Sequence, residues 1–128
     1  YFFGKRYRLE LVYKDDVPAV FLKGKNKMIL QVRPESTIAR RHEVMTEWYR
    51  KQFHPVVEGM IAKWEKKIGV RSSHWSIKQM KTRWGTCNHK RARILLNLEL
   101  VKKPLACVEY VVAHELVDLI EKKLGLDL

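Results

Sequence analysis

With 128 residues, 46% of them apolar and 31% charged, the chain has the length and balance of one soluble globular domain, long enough for a single core and too short for two. No apolar run approaches the roughly 18 residues that span a bilayer, and the opening Tyr1-Phe2-Phe3-Gly4-Lys5-Arg6 lacks the apolar stretch of a secretory signal, which argues against membrane-spanning and secreted classes. The net charge of +12 is concentrated between Arg71 and Lys103, where nine Lys or Arg face the single acid Glu99; such a stretch attracts anions, and it comes with no helix-turn-helix, zinc-finger or RNP-type pattern for reading a base sequence.

Taken in order, Tyr7, Leu9, Leu11 and Tyr13 alternate with Arg6, Arg8, Glu10 and Lys14, the period-two pattern of a half-buried strand. Val17 to Lys23 predicts a second strand with Pro18 at an end or edge, and Lys23-Gly24-Lys25-Asn26-Lys27 supplies a turn before Met28, Leu30 and Val32 alternate again. These three predict an antiparallel meander. Pro34 ends it, and Ser36 or Thr37 can cap a helix through Ile38, Met45, Trp48, Tyr49 and Phe53. Pro55 is expected to kink or break that helix before a second run, Val57, Met60, Ile61, Trp64 and Ile68, closed by Gly69. Trp75 to Trp84 reads as a strand, Gly85 to Lys90 as a turn, and Arg93 to Leu98 as a strand buried on both faces. Pro104 fits the first turn of a last helix that runs to about Leu124 and stops at Gly125. The order β-β-β-α-α-β-β-α, with helices segregated from a mainly antiparallel sheet, predicts an α+β fold. Residues 1–128 form one domain on this reading, a fragment of a longer protein, since no initiator Met opens the chain.

The last helix concentrates the chemistry. Leu105, Val108, Val112, Leu116, Leu119 and Ile120 fall on one stripe, while His114, Asp118 and Glu121 share roughly the opposite face, with Cys107 and Val111 on or beside it. A helix with apolar groups on both sides is covered on both, so His114 and Asp118 are expected to look into a cleft. A metal-binding helix needs two ligands one turn apart with a Glu between them to act as general base on a metal-bound water. Here the motif reads His-Glu-x-x-Asp where a zinc hydrolase carries His-Glu-x-x-His.

The stretch Gln79-Met80-Lys81-Thr82-Arg83-Trp84-Gly85-Thr86-Cys87-Asn88, followed by Arg93-Ile94-Leu95-Leu96-Asn97-Leu98, Leu100, Pro104 and Glu109-Tyr110-Val111-Val112-Ala113-His114-Glu115-Leu116, resembles the YgjP-like zinc metallopeptidases, relatives of the SprT-like and WLM-type peptidases. The Gly-Lys-Arg-Tyr-Arg-Leu opening and the Trp48-Tyr49-Arg50 helix are similar to that family too. The resemblance implies a zincin-like α+β domain with the motif on its last helix. It makes His114 the first zinc ligand and Glu115 the catalytic general base. It places the second ligand on Asp118 and the third on Leu124, which cannot bind a metal; His114 is the last histidine of the chain.

Asp is a legitimate zinc ligand, shorter than His and negatively charged, but catalytic zinc normally rests on three protein ligands and a water. A third ligand has three possible sources: Glu121, which would give a more oxygen-rich and less zinc-selective set; residues beyond this sequence; or His74 or His89 folded back onto the helix. His42 and His54 read as surface or packing residues. Trp84 reads as core packing, while Arg83 is either a surface charge or part of a substrate groove, because the strand nearest a zincin's helix is where an extended peptide pairs. Two cysteines outside any Cys-x-x-Cys pattern fit a reducing, cytoplasmic compartment. The function predicted is zinc-dependent peptide-bond hydrolysis, weak or lost as the chain stands, on a peptide or protein substrate. The alternatives are a non-catalytic metallopeptidase-like interaction domain, or a basic module that binds nucleic acid weakly through residues 71–103.

Overall fold

The opening alternations form strands β1 (Arg8–Tyr13), β2 (Ala19–Lys23) and β3 (Lys27–Val32), in a computed structural model that describes residues 1–72 and 74–123. They do not make a meander. β2 pairs antiparallel with β3, while β1 pairs parallel with the other side of β3, in the order β1-β3-β2. Burial explains the arrangement: Met28, Ile29, Leu30 and Val32 of β3 are all buried, which suits a central strand, whereas β1 carries charges at alternate positions and suits an edge. The connection between β1 and β2 crosses the end of β3, and it is held there by Lys14 N–H on Val32 O at 2.9 Å and Arg33 Nε on Asp16 O at 3.2 Å.

Helix α1 (Ile38–Ile68) is capped by Thr37, whose Oγ1 accepts from Arg40 N–H at 3.1 Å, and ends at Gly69 with φ +78°, whose N–H donates to Glu65 O. The expected break at Pro55 does not occur, and the two predicted helices are one. Phe53, Val57 and Ile61 continue a single buried stripe across the proline, so packing holds the helix together, while the exposed Pro55 meets solvent, where water can take up the hydrogen bond it removes.

The second half of the chain forms strands β4 (His74–Lys78), β5 (Gly85–Asn88) and β6 (Arg93–Asn97), a 3-10 turn over Leu98–Lys102, and helix α2 (Leu105–Lys123). Two predictions shift here. The strand expected through Trp84 stops at Lys78, and the segment read as a turn, Gly85 to Asn88, is itself a strand. Its glycine answers to a close contact described below, and the true turn follows at residues 89–92, with Asn88 Oδ1 accepting from Arg91 N–H at 3.3 Å. β6 lies between the others, parallel to β4 and antiparallel to β5. The fold is thus α+β, with two small mixed sheets in place of one mainly antiparallel sheet. Leu124 and Gly125, expected at the end of the last helix, lie outside the described residues.

The main core joins Phe53, Val57 and Ile61 of α1, Ile77 of β4, Ile94 and Leu96 of β6, and Val108, Val112, Leu116 and Leu119 of α2; a smaller cluster of Leu30, Val32 and Val44 sits between α1 and the first sheet. Leu105, assigned to the buried stripe of the last helix, is 48% exposed, because it opens the helix before the stripe reaches the core. Arg50 ties α1 to the second sheet through Nη1 on Ile77 O at 2.6 Å, and the N-terminal segment straps the approach to α2 through Phe3 N–H on Val101 O at 2.7 Å. Among the described residues no helix is long and apolar enough to cross a membrane.

An exposed interior proline should still cost helix stability. Pro55→Ala restores an N–H to the Lys51 carbonyl and is expected to stabilise the chain by about 2 kcal/mol, after allowing for the greater freedom of the unfolded state. Urea unfolding checks this; a lower midpoint would contradict a continuous packed helix.

Candidate active site

β5 and α2 face each other across a cleft of about 520 Å³ lined by Arg83, Trp84, Gly85, Thr86, Cys87, Tyr110, Val111, His114, Glu115 and Asp118. The close approach of the two elements sets its depth. A Cβ on Gly85 would lie 3.0 Å from Val111 Cγ1 and 3.1 Å from Glu115 Cγ, so any larger residue here would push those side chains aside by a few tenths of an ångström. Val108, Val112 and Leu116 hold the opposite face of α2 in the core. The second side of the helix is therefore met by β5 at Val111 and Glu115, while Cys107, Tyr110 and His114 on or beside it stay exposed, so the cover expected there is partial.

Glu115 is only 7% exposed at the wall of this cleft. Burial pushes its carboxyl pKa up from the ordinary value; the hydrogen bond and charge of His114 draw it down, Asp118 pushes it up, and Arg83 draws it down, with burial the largest of these effects. His114 Nδ1 stands 3.5 Å from Glu115 Oε1, and the His114 ring, whose side chain is 62% exposed, stacks on Tyr110 one turn earlier at 6.0 Å between centroids. The carboxylate is thus held among its neighbours while the imidazole opens to solvent.

Of the residues singled out from the sequence, His114, Glu115, Asp118 and Arg83 come together here. The half-buried Glu121 is not among the residues lining the cleft. His74 lines a separate recess with Asn88 and Arg93, His89 is exposed on the β5–β6 turn, and the His54 ring lies tilted against Trp75 at 4.8 Å between centroids. Trp84 departs from its core reading: it is 47% exposed at the cleft, with Lys103 Nζ 5.4 Å from its ring centroid. Among the described residues no three His, Cys, Asp or Glu are arranged to hold a metal ion. His114 and Asp118 supply two donors, short of the three protein ligands of a catalytic zinc, so the described residues do not fit that group.

Sequence reasoning gave no role to Asn97. Its side chain is buried behind the loop of residues 79–84: Nδ2 donates to Met80 O at 2.9 Å and Arg83 O at 2.8 Å, while Oδ1 accepts from Glu99 N–H at 3.0 Å and Met80 N–H at 3.3 Å. Its own backbone N–H donates to Trp84 O at 2.9 Å. One side chain thus fixes the loop that delivers Arg83 and Trp84 to the cleft. The signal was present as a polar residue closing an apolar strand, Ile94-Leu95-Leu96-Asn97.

Two outcomes follow from this geometry. Asn97→Asp replaces a donor facing two carbonyls with an acceptor; it is expected to destabilise the chain by about 1–3 kcal/mol for each carbonyl left unpaired, and to open the loop to trypsin at Lys81 and Arg83. Unchanged urea stability together with unchanged proteolysis would remove Asn97 as the anchor. For Glu115, a raised folded-state pKa means that the native state binds the proton more tightly than the unfolded chain. That contribution is complete below the unfolded pKa and is lost as pH rises through the folded one. Metal-free Glu115→Gln should therefore exceed the parent in stability at neutral pH, with the gap closing as pH falls below about 4. A gap that widens on acidification would contradict burial as the dominant effect.

Comparison with protein families gave one match, to the family described as YgjP-like, metallopeptidase domain, over residues 1–123. Comparisons with curated proteins and with solved structures gave no match. The match spans the strap at the N-terminus, both sheets and both helices, including the cleft and the His114-Glu115 pair, and on that extent the chain belongs to the YgjP-like metallopeptidase family.

Proposed function

We propose that the chain is a metallopeptidase-type domain that retains a peptide cleft and a proton-handling carboxylate, and that hydrolyses peptides poorly because its metal-holding set is depleted. The observation that carries this reading is the pairing of an outer strand with the motif helix across one cleft. Trp84 O accepts from Asn97 N–H, so alternation along an antiparallel ladder turns the backbone groups of Gly85 away from β6, toward the open edge. An extended peptide adding to that edge would lie along α2, within reach of Glu115. Glu115, whose pKa burial raises, is suited to accept a proton from water and return it to a leaving amine. Arg83 and Trp84, exposed at the same cleft, are positioned to contact the bound chain. No step is assigned to a metal, because His114 and Asp118 alone do not complete a zinc site. Cys87 and Cys107, which are not joined in a disulfide, fit a reducing, cytoplasmic setting.

The departures at 118 and 124 also favour a second reading, a domain that keeps the cleft for binding without turnover. Zinc content separates the cases. After dialysis against excess zinc and removal of the free ion, the parent chain is expected to hold well under one zinc, unchanged by His114→Ala. Asp118→His combined with Leu124→His is expected to take up about one zinc and to gain peptidase activity that Glu115→Gln abolishes. Stoichiometric zinc in the parent, lost in His114→Ala, would mean a complete site. Zinc uptake by the double variant without turnover would favour the binding-only reading, and no uptake at all would count against a metallopeptidase centre.

A further inference from the structure

The second sheet has one face on the helices; its other face is covered at Asn97 by the loop of residues 79–84 and open toward His74 and Arg93. Ile77, Ile94 and Leu96 point into the core. On the other face the strand register sets His74, Arg93 and Asn88 in one row and Ser76, Leu95 and Thr86 in the next, and these six line a recess of about 270 Å³. Lys78 extends the face along β4, exposed, and Arg71 precedes that strand. Lys90 and Arg91 sit on the hairpin that joins β5 to β6. Among the described residues no carboxylate lines the recess. The single acid between residues 71 and 103, Glu99, is paired with Lys102 at 3.1 Å, and Glu65, the acid at the entry to β4, is occupied by the N–H and Oγ of Ser72 at 2.6 and 2.8 Å. Arg71, Lys78 and Arg93 make no ion pair among the described residues.

We propose that this face binds the phosphate backbone of a nucleic acid without reading its sequence. Charge complementarity carries the assignment: Lys78 and Arg93, which have no anionic partner among the described residues, stand beside hydroxyl and amide donors, the side-chain set that contacts phosphate oxygens. Neighbours two apart on a strand lie about 6.6 Å from each other, so the rows offer successive contacts along a strand of phosphates in place of one closed anion pocket. An anionic membrane fits less well, because the only apolar side chain in the rows is the half-buried Leu95 and nothing greasy stands out to enter lipid. Base reading is not expected, since the face presents neither a helix for a groove nor an aromatic platform for stacking. Side chains alternate along β5, so Asn88 serves this face and Gly85 the cleft beside α2, while Thr86 lines both. The proposal does not rest on the peptidase reading.

The test is fluorescence anisotropy with a labelled single-stranded DNA of about 20 nucleotides and its duplex, from about 50 to 300 mM salt. The parent, a Lys78→Gln/Arg93→Gln variant and a Lys14→Gln/Lys23→Gln control from the first sheet are compared, with circular dichroism confirming that each is folded. Binding is expected to fall linearly on log–log axes and to be insensitive to base composition. Each cation removed from the sheet face should lower affinity about five- to eightfold at 0.1 M salt and reduce the slope by about 0.7–0.9, while the control stays near the parent. Absence of binding at low salt, binding indifferent to salt, or equal losses in the control and the sheet-face variant would each overturn the proposal. So would capture by phosphatidylserine vesicles with no binding to either oligonucleotide.

Discussion

The approach of α2 to β5 at Gly85 is the constraint on which the site depends. Helix α2 is pinned on one side by Val108, Val112, Leu116 and Leu119 in the core, so its other side can meet the strand only at a distance fixed by that packing. A Cβ at Gly85 would stand 3.0 Å from Val111 Cγ1 and 3.1 Å from Glu115 Cγ, and the glycine's hydrogen avoids that crowding. Glu115 is buried by the same contact, and its burial raises its pKa. Geometry and proton affinity therefore have one cause. Asn97 adds the second fixed point, holding the loop that precedes Gly85 through three side-chain hydrogen bonds and the 3-10 turn through a fourth, from Glu99 N–H.

Much of this was legible in the residues, and the failures have physical reasons. The two-faced pattern of the last helix announced both a core side and a cleft side, and Thr37 and Gly69 mark the ends of α1 as their types suggest. Pro55 misled because propensity is local, whereas the stripe Phe53, Val57 and Ile61 is buried by tertiary packing that outweighs it. Gly85 and Asn88 misled because both are turn formers by type; here the glycine answers to a neighbour distant in sequence, which no local pattern can reveal. Parallel pairing of β1 and of β4 was equally hidden, since alternation says nothing of a strand's partner; in β1 it misled on burial too, because Leu9, Leu11 and Tyr13 lie exposed on an edge strand. Trp84 is exposed despite its bulk because the loop held by Asn97 delivers it to the cleft mouth.

On the reading proposed, the fold and the metal chemistry part company at two positions, Asp118 and Leu124. What α2 needs in order to pack, the Val108 to Leu119 stripe and a glycine opposite Glu115, is intact. What a metal needs is reduced to His114 and Asp118 among the described residues, with leucine at 124. Packing residues and ligand residues lie on different faces of the same helix, so loss at one does not unfold the other. A scaffold can in this way retain a substrate cleft after its metal chemistry has weakened. The basic sheet face is a separate property of the same domain, set by strand alternation on the side away from Gly85.

The most direct measurement is backbone amide NMR of the chain titrated with an unstructured peptide of about ten residues, a length that an edge strand can pair along. Occupation of the cleft predicts that the largest shifts and the slowest hydrogen exchange appear at Gly85 to Cys87 and at Tyr110 to Asp118, with β1 and β2 unchanged. Shifts confined to the first sheet, or no change at millimolar peptide, would contradict the account that the cleft between β5 and α2 is a peptide site.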